Sequence, residues 1–138
     1  IMEAYRHVKS SVDIVIPSDK FTEWVLEKAE WSINQVRKRG AKINIVTQKQ
    51  SRNKTSLFLE NKASNISSIK KQVNIRYIET PPLIESIMFD KKVVFIALKK
   101  EKFIEDMPWL CSHNQSIIAL ANFYFESNWN QSKMSAIN

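Results

Sequence analysis

Residues 12–48 read VDIVIPSDKFTEWVLEKAEWSINQVRKRGAKINIVTQ. Two short apolar runs flank a stretch of helical periodicity, and this pattern constrains the fold more than any other feature. Phe21, Val25, Ala29, Ile33 and Val36 recur at steps of three and four residues, which makes one buried stripe on a single helix from residue 21 to residue 40. Pro17 stops the first run, and Ser18 or Asp19 is placed to cap the helix, with Glu23 in its first turn. Arg37, Lys38 and Arg39 suit the negative end of the helix dipole. Gly40, the only glycine in the chain, follows as the C-terminal cap. Ile43 and Ile45 then alternate with polar residues. Strands joined through helices run parallel, so a helix-covered sheet is implied.

The rest of the chain extends this order. KQSRNKTS reads as a polar loop, and LFLENKASNISSIKKQ as a weaker helix anchored by Leu57, Leu59, Ile66 and Ile69. VNIRYIE is an alternating strand. Residues 83–98 form a hairpin with a polar turn, EDMPWLCSHNQ is irregular, and SIIALANFYFESNWNQ is an apolar helix. In that helix Ile117, Leu120, Ala121, Tyr124, Phe125 and Trp129 are expected to pack on the sheet. The order is β-α-β-α-β-β-β-α, an α/β domain with a mixed, mostly parallel sheet. MEAYRHVKSS looks like the end of a helix. Because the chain opens on Ile1, residues 1–10 are expected to be the end of a linker helix from an upstream domain, and residues 11–134 the domain proper.

Composition narrows the function. Of the 138 residues, 43% are hydrophobic and 25% charged, which fits a globular protein with one core. The apolar runs are too short to span a bilayer, and no secretory leader is visible. The single cysteine, Cys111, excludes an internal disulfide and fits a cytoplasmic protein. His7 and His113 have no ligand partner at a metal-site spacing, so no metal or cofactor is expected. The formal charge of +7 suits a polyanion partner or a lysine-rich solvated surface. A lone glycine builds no phosphate-binding loop.

Four segments carry a resemblance. KRGAKINIVTQ, VNIRYIE, IMFDKKVVFIAL with Asp90 at its turn, and FESNW occur in an order that resembles the phospholipase-D-like fold. The likeness is to its degenerate form, the effector domain of archaeal transcription regulators of the sugar-sensing TrmB kind, and it covers most of the chain. The active phosphodiesterases of this fold carry His-x-Lys-x-x-x-x-Asp on the hairpin. Aligned on Asp90, this chain has Leu83 at the His position and Glu85 at the Lys position. Leucine neither attacks phosphorus nor carries a proton, and glutamate repels phosphate. The resemblance therefore implies a scaffold without the phosphodiesterase chemistry. It also implies a homodimer around the former active cleft, and DNA contact through an upstream domain. Asp90 is read either as part of that cleft or as a turn residue bonding backbone N–H groups.

Two further groups of residues are candidates for function. Trp24 and Trp31, seven residues apart, share a helix face outside the apolar stripe; they suit a dimer contact or burial under a loop or the N-terminal helix. The carboxyl ends of parallel strands are where α/β sheets bind ligands. There Ser18, Thr47, Gln48 and Lys49 offer hydroxyl, amide and ammonium groups to a small polar or anionic effector. Arg76 and Glu85 either point into the same cleft or pair with each other. The function expected is an effector-sensing, dimerising domain of a transcriptional regulator. The alternatives are a phosphodiesterase or nuclease with an unconventional site, and a protein-interaction module.

Overall fold

The computed structural model describes residues 1–49, 72–97 and 109–134. The helix expected around Leu57, Leu59, Ile66 and Ile69 lies outside the described residues. The elements are α1 (Met2–His7), β1 (Ser11–Ile16), α2 (Ser18–Glu27), α3 (Ala29–Arg37), β2 (Lys42–Gln48), β3 (Val73–Ile78), β4 (Ser86–Phe89), β5 (Val93–Ala97), β6 (Trp109–Ser112), α4 (Gln115–Gln131) and β7 (Lys133–Met134).

The strands form one mixed sheet in the order β6-β5-β4-β1-β2-β3-β7. Ile14, Ile45 and Ile75 stand side by side across the parallel strands β1, β2 and β3. Every other pairing is antiparallel, which corrects the expectation of a mostly parallel sheet. A tight turn can join only antiparallel strands, so the hairpin β4–β5, laid against β1, extends the antiparallel part. The stretch read as irregular supplies the edge strand β6, with Cys111 opposite Phe95. Its four residues show no alternation, and pairing with β5 alone makes them a strand.

Alternation along each strand builds two cores. Val12, Ile14, Ile43, Ile45, Ile87 and Phe89 meet α1, α2 and α3 on one face. Val15, Val46, Met88 and Val94 meet α4 on the other. The expected stripe of Phe21, Val25, Ala29, Ile33 and Val36 is wholly buried. It does not lie on one helix, however. Lys28 leaves the helical region at φ −126°, ψ −17°, and divides the stretch into α2 and α3. The N-cap of α2 is Pro17 without a side-chain bond, so Ser18 opens the helix rather than capping it. Gly40 closes α3 at φ +71°, a conformation only glycine takes without strain.

Segment 1–10, expected as the end of a linker helix, packs onto the main core through Tyr5 and Val8. Helix α4 is capped by Asn114, whose carboxamide oxygen accepts from the N–H groups of Ser116 and Ile117 at 2.9 and 3.2 Å. It seats Ile118 and Phe125 against the sheet, with Ile117, Ala121, Tyr124 and Trp129 alongside. Leu120, expected in that contact, lies on the outer side instead, 72% exposed. It is two residues, or about 200° of helical rotation, from Ile118.

Candidate functional site

The carboxyl ends of β1 and β2 bring four of the candidate residues together. Ser18, the first residue of α2, donates from Oγ to Gln48 Oε1 at 3.4 Å. Thr47 lies beneath them, fully buried, with no hydrogen-bond partner for Oγ1. Lys49 Nζ reaches Glu79 Oε1 at 3.5 Å and so ties the end of β2 to the end of β3. Glu85 precedes β4, which runs antiparallel to β1 with Ser86 opposite Val15; it therefore stands at the same edge. Burial pushes its carboxyl above the ordinary value. Lys20 opposes that shift, while Asp19 and Glu23 reinforce it. Lys20 Nζ is in turn 3.9 Å from Glu23 Oε2, so this edge mixes ammonium, carboxylate, hydroxyl and amide groups.

The remaining two candidates lie elsewhere. Asp90 is at the opposite end of β1. Its carboxylate accepts from the backbone N–H groups of Lys9, Ser10 and Ser11 and from Ser10 Oγ, at 2.7 to 3.2 Å. Burial raises its pKa, but these bonds, led by those from Ser10, Lys9 and Ser11, pull it below the ordinary carboxylate value. Asp90 thus clamps the hairpin turn to the start of β1, as the turn-residue alternative holds, although its partners come from about 80 residues away in sequence. Asp90 and Lys91 have φ of 54° and 55°, and Lys92 N–H closes the turn on Phe89 O at 2.9 Å. Positive φ at both central positions matches the strand twist in a tight hairpin.

Arg76 points to the α4 face. Its Nη1 donates to Trp129 O at 2.9 Å, and its guanidinium lies 4.4 Å from the centre of the Trp129 ring. A last-turn carbonyl of α4 and an aromatic face thus hold the charge. The neighbours of Glu85 are on α2, across the sheet, so Arg76 and Glu85 neither pair nor share a cleft.

The tryptophans, read from the sequence either as a dimer contact or as buried, both pack inward. Trp24 is 9% exposed, inside the main core, with its ring stacked near Phe21 at 6.1 Å. Trp31 is half-buried beneath α1, edge-on to Tyr5 at 5.8 Å, with Arg6 over its ring at 5.9 Å. The break at Lys28 removes the shared face that a straight helix would give them. Burial under the N-terminal helix, the other reading of the pair, describes Trp31.

Sequence reasoning passed over Asp13. It is 3% exposed in the middle of the sheet; Asn44 Nδ2 donates to its Oδ1 at 2.9 Å, and Asn74 Nδ2 donates to Asn44 Oδ1 at 3.0 Å. The signal was a charged residue inside the apolar run VDIVI. Among the described residues, no group of three or more His, Cys, Asp or Glu is placed to hold a metal ion. No helix among them is long and apolar enough to cross a membrane.

The fold is phospholipase-D-like. The chain is similar in structure to TrmBL2, described as an archaeal chromatin protein with a novel mode of DNA binding, at TM-score 0.68 and 18% identity. That match covers 96% of this chain and 48% of TrmBL2, so the chain spans about half the length of that neighbour. It is likewise similar to Nuc, a phospholipase D family member from Salmonella typhimurium, at TM-score 0.64 and 13% identity, over 96% of this chain and 86% of Nuc. No protein-family model matches the sequence, and no curated protein matches it.

Proposed function

We propose that this chain is a non-catalytic, effector-sensing and dimerising domain of a cytoplasmic transcriptional regulator. In this reading DNA is bound by a domain outside this chain, as befits a chain that spans half of a longer DNA-binding neighbour. The observation that carries the reading is the pair Leu83 and Glu85. On a phospholipase-D-like fold they occupy the positions where the resemblance puts the reactive His and Lys. Leu83 is 93% exposed, a side chain that can do no chemistry standing at the edge where the site would be. Ser18, Thr47, Gln48, Lys49 and Glu85 form the effector site, and its ligand is a small polar molecule with an anionic group. Arg76 and Asp90 support the frame around it.

A thermal-shift screen with sugars, nucleotides and organic acids tests this, because a ligand that binds only the folded state raises its melting temperature. The expected hit loses its shift in Lys49→Ala and Glu85→Ala. A chromogenic phosphodiester, assayed with and without divalent metal, should remain intact. Turnover that disappears in Glu85→Gln would replace the regulatory reading with an enzymatic one.

A further inference from the structure

Three segments meet at the amino ends of β1 and β2: residues 9–11, the turn of the β4–β5 hairpin, and the chain from the end of α3 into β2. Asp90 accepts from the backbone N–H groups of Lys9, Ser10 and Ser11 at 2.7 to 3.2 Å, and its own N–H donates to Ser11 O at 2.8 Å. Lys42 stands opposite Ser11 in the sheet, and its N–H donates to Ser10 O at 3.1 Å. Gly40 N–H donates to Arg37 O at 3.2 Å and Ala41 N–H to Val36 O at 3.0 Å, which sets the run Arg37–Arg39 in the turn just ahead of Lys42. Lys9, Lys42, Lys91, Lys92 and all three residues of that run are exposed. Two carboxylates in the same region are already committed, Asp90 to the backbone and Glu126 to Lys91 at 3.7 Å. The other end of the sheet carries Asp19, Glu23, Glu79 and Glu85 with Lys20 and Lys49. Charge on the described surface is therefore polarised along the strands.

We propose that this basic end of the sheet contacts the phosphate backbone of duplex DNA, so that the chain itself adds to the grip of the DNA-binding domain outside it. The choice of DNA among polyanions rests on the function proposed above. Cations on segments bonded to one another attract phosphates without a loop having to be ordered first. β5, β4, β1 and β2 are neighbours in the sheet, so this end extends for about 15 Å. That is enough to reach phosphates on both sides of a groove about 12 Å wide. A single strand is a poorer match, because its bases need aromatic platforms. The exposed aromatic Phe123 lies on α4, outside these segments. A lipid surface is a poorer match as well, because binding there buries apolar side chains, and the exposed Leu26, Leu83 and Leu120 are on other segments too. Backbone contacts carry no base information, so the binding is independent of sequence.

Fluorescence anisotropy of a labelled DNA duplex, titrated with the 138-residue chain and no effector, tests the proposal. Two duplexes of unrelated sequence should bind alike. The logarithm of affinity should fall against that of salt concentration with a slope steeper than about −3, since each phosphate neutralised contributes about −0.9. Lys42→Gln/Lys92→Gln should make the slope shallower by about 2 and weaken binding at least about tenfold at low salt, with an unchanged Tm. Lys20→Gln/Lys28→Gln removes the same charge from α2 and its end, and should leave the affinity within about twofold. Should the first double variant fail to fold, Lys38→Gln/Arg39→Gln, on the exposed turn, carries the same expectation. No binding at about 50 mM salt overturns the proposal. So does an equal loss in the variants of the two ends, which would make net charge alone responsible. So does tighter capture of single-stranded DNA or of phosphatidylglycerol vesicles than of the duplex. A chain that binds no duplex leaves the regulator reading standing, with DNA held only by the other domain, and that reading is tested separately by the ligand screen.

Discussion

Asp13 Oδ2 is buried without a hydrogen-bond partner, and Lys91, the nearest opposing charge, is paired with Glu126 at 3.7 Å. Burial raises the Asp13 pKa above the ordinary 3.8, against the Asn44 hydrogen bond and the pull of Lys91. Such a carboxyl holds its proton more tightly folded than unfolded. Its contribution to stability is therefore full below the unfolded value and is lost as pH rises through the folded one. Asp13→Asn should remove the component of stability that the wild type loses as pH rises through the folded-state pKa of Asp13. Urea unfolding at a series of pH values checks this; parallel curves for the two proteins would assign the effect elsewhere. Asp90 has the opposite sign. Its lowered pKa gives stability that is present above the unfolded value and lost as pH falls through the folded one. Asp90→Ala should cost about 2–4 kcal/mol, since it strands backbone N–H groups at the start of β1. Asp90→Asn should cost less, because asparagine keeps an acceptor and tolerates φ of 54°.

At the scale of elements, the tryptophans separate core from surface. Trp24→Ser should destabilise by about 3–5 kcal/mol, the range for emptying a buried aromatic site. Trp31→Ser should cost less, because its ring is only partly buried. Neither should change the association state. Altered mass with unaltered stability in either variant would return the pair to an interface role. The apolar stripe from Phe21 to Val36 was legible in the sequence, because helical periodicity reports which side chains face inward. The break at Lys28 was not, since no proline or glycine marks it. Nor was the rotation of α4: with apolar residues nearly all round, its sequence did not say whether Ile118 or Leu120 faces the sheet.

For the whole molecule, the phospholipase-D-like architecture was readable from the order of strands, helices and hairpin, and the structural neighbours share that architecture. The candidate site was readable in part. Ser18, Thr47, Gln48, Lys49 and Glu85 converge because strand ends in a parallel unit must lie at one edge. Arg76 and Asp90 looked equally eligible, but sequence does not say which face a strand residue takes, or which end of a sheet a hairpin turn reaches.

The sequence alone determined the local outcomes, where the deciding interactions lie within a few residues: the buried stripe, the glycine that closes α3, the polar turn at Asp90, and the leucine and glutamate at positions 83 and 85. Tertiary structure decided what depends on partners distant in the chain. It paired β6 with β5, drew Trp24 into the core, turned Arg76 to Trp129, and left Leu120 and Phe123 facing outward. Burial and strand pairing are properties of what packs against a residue, and that neighbour lies tens of residues away.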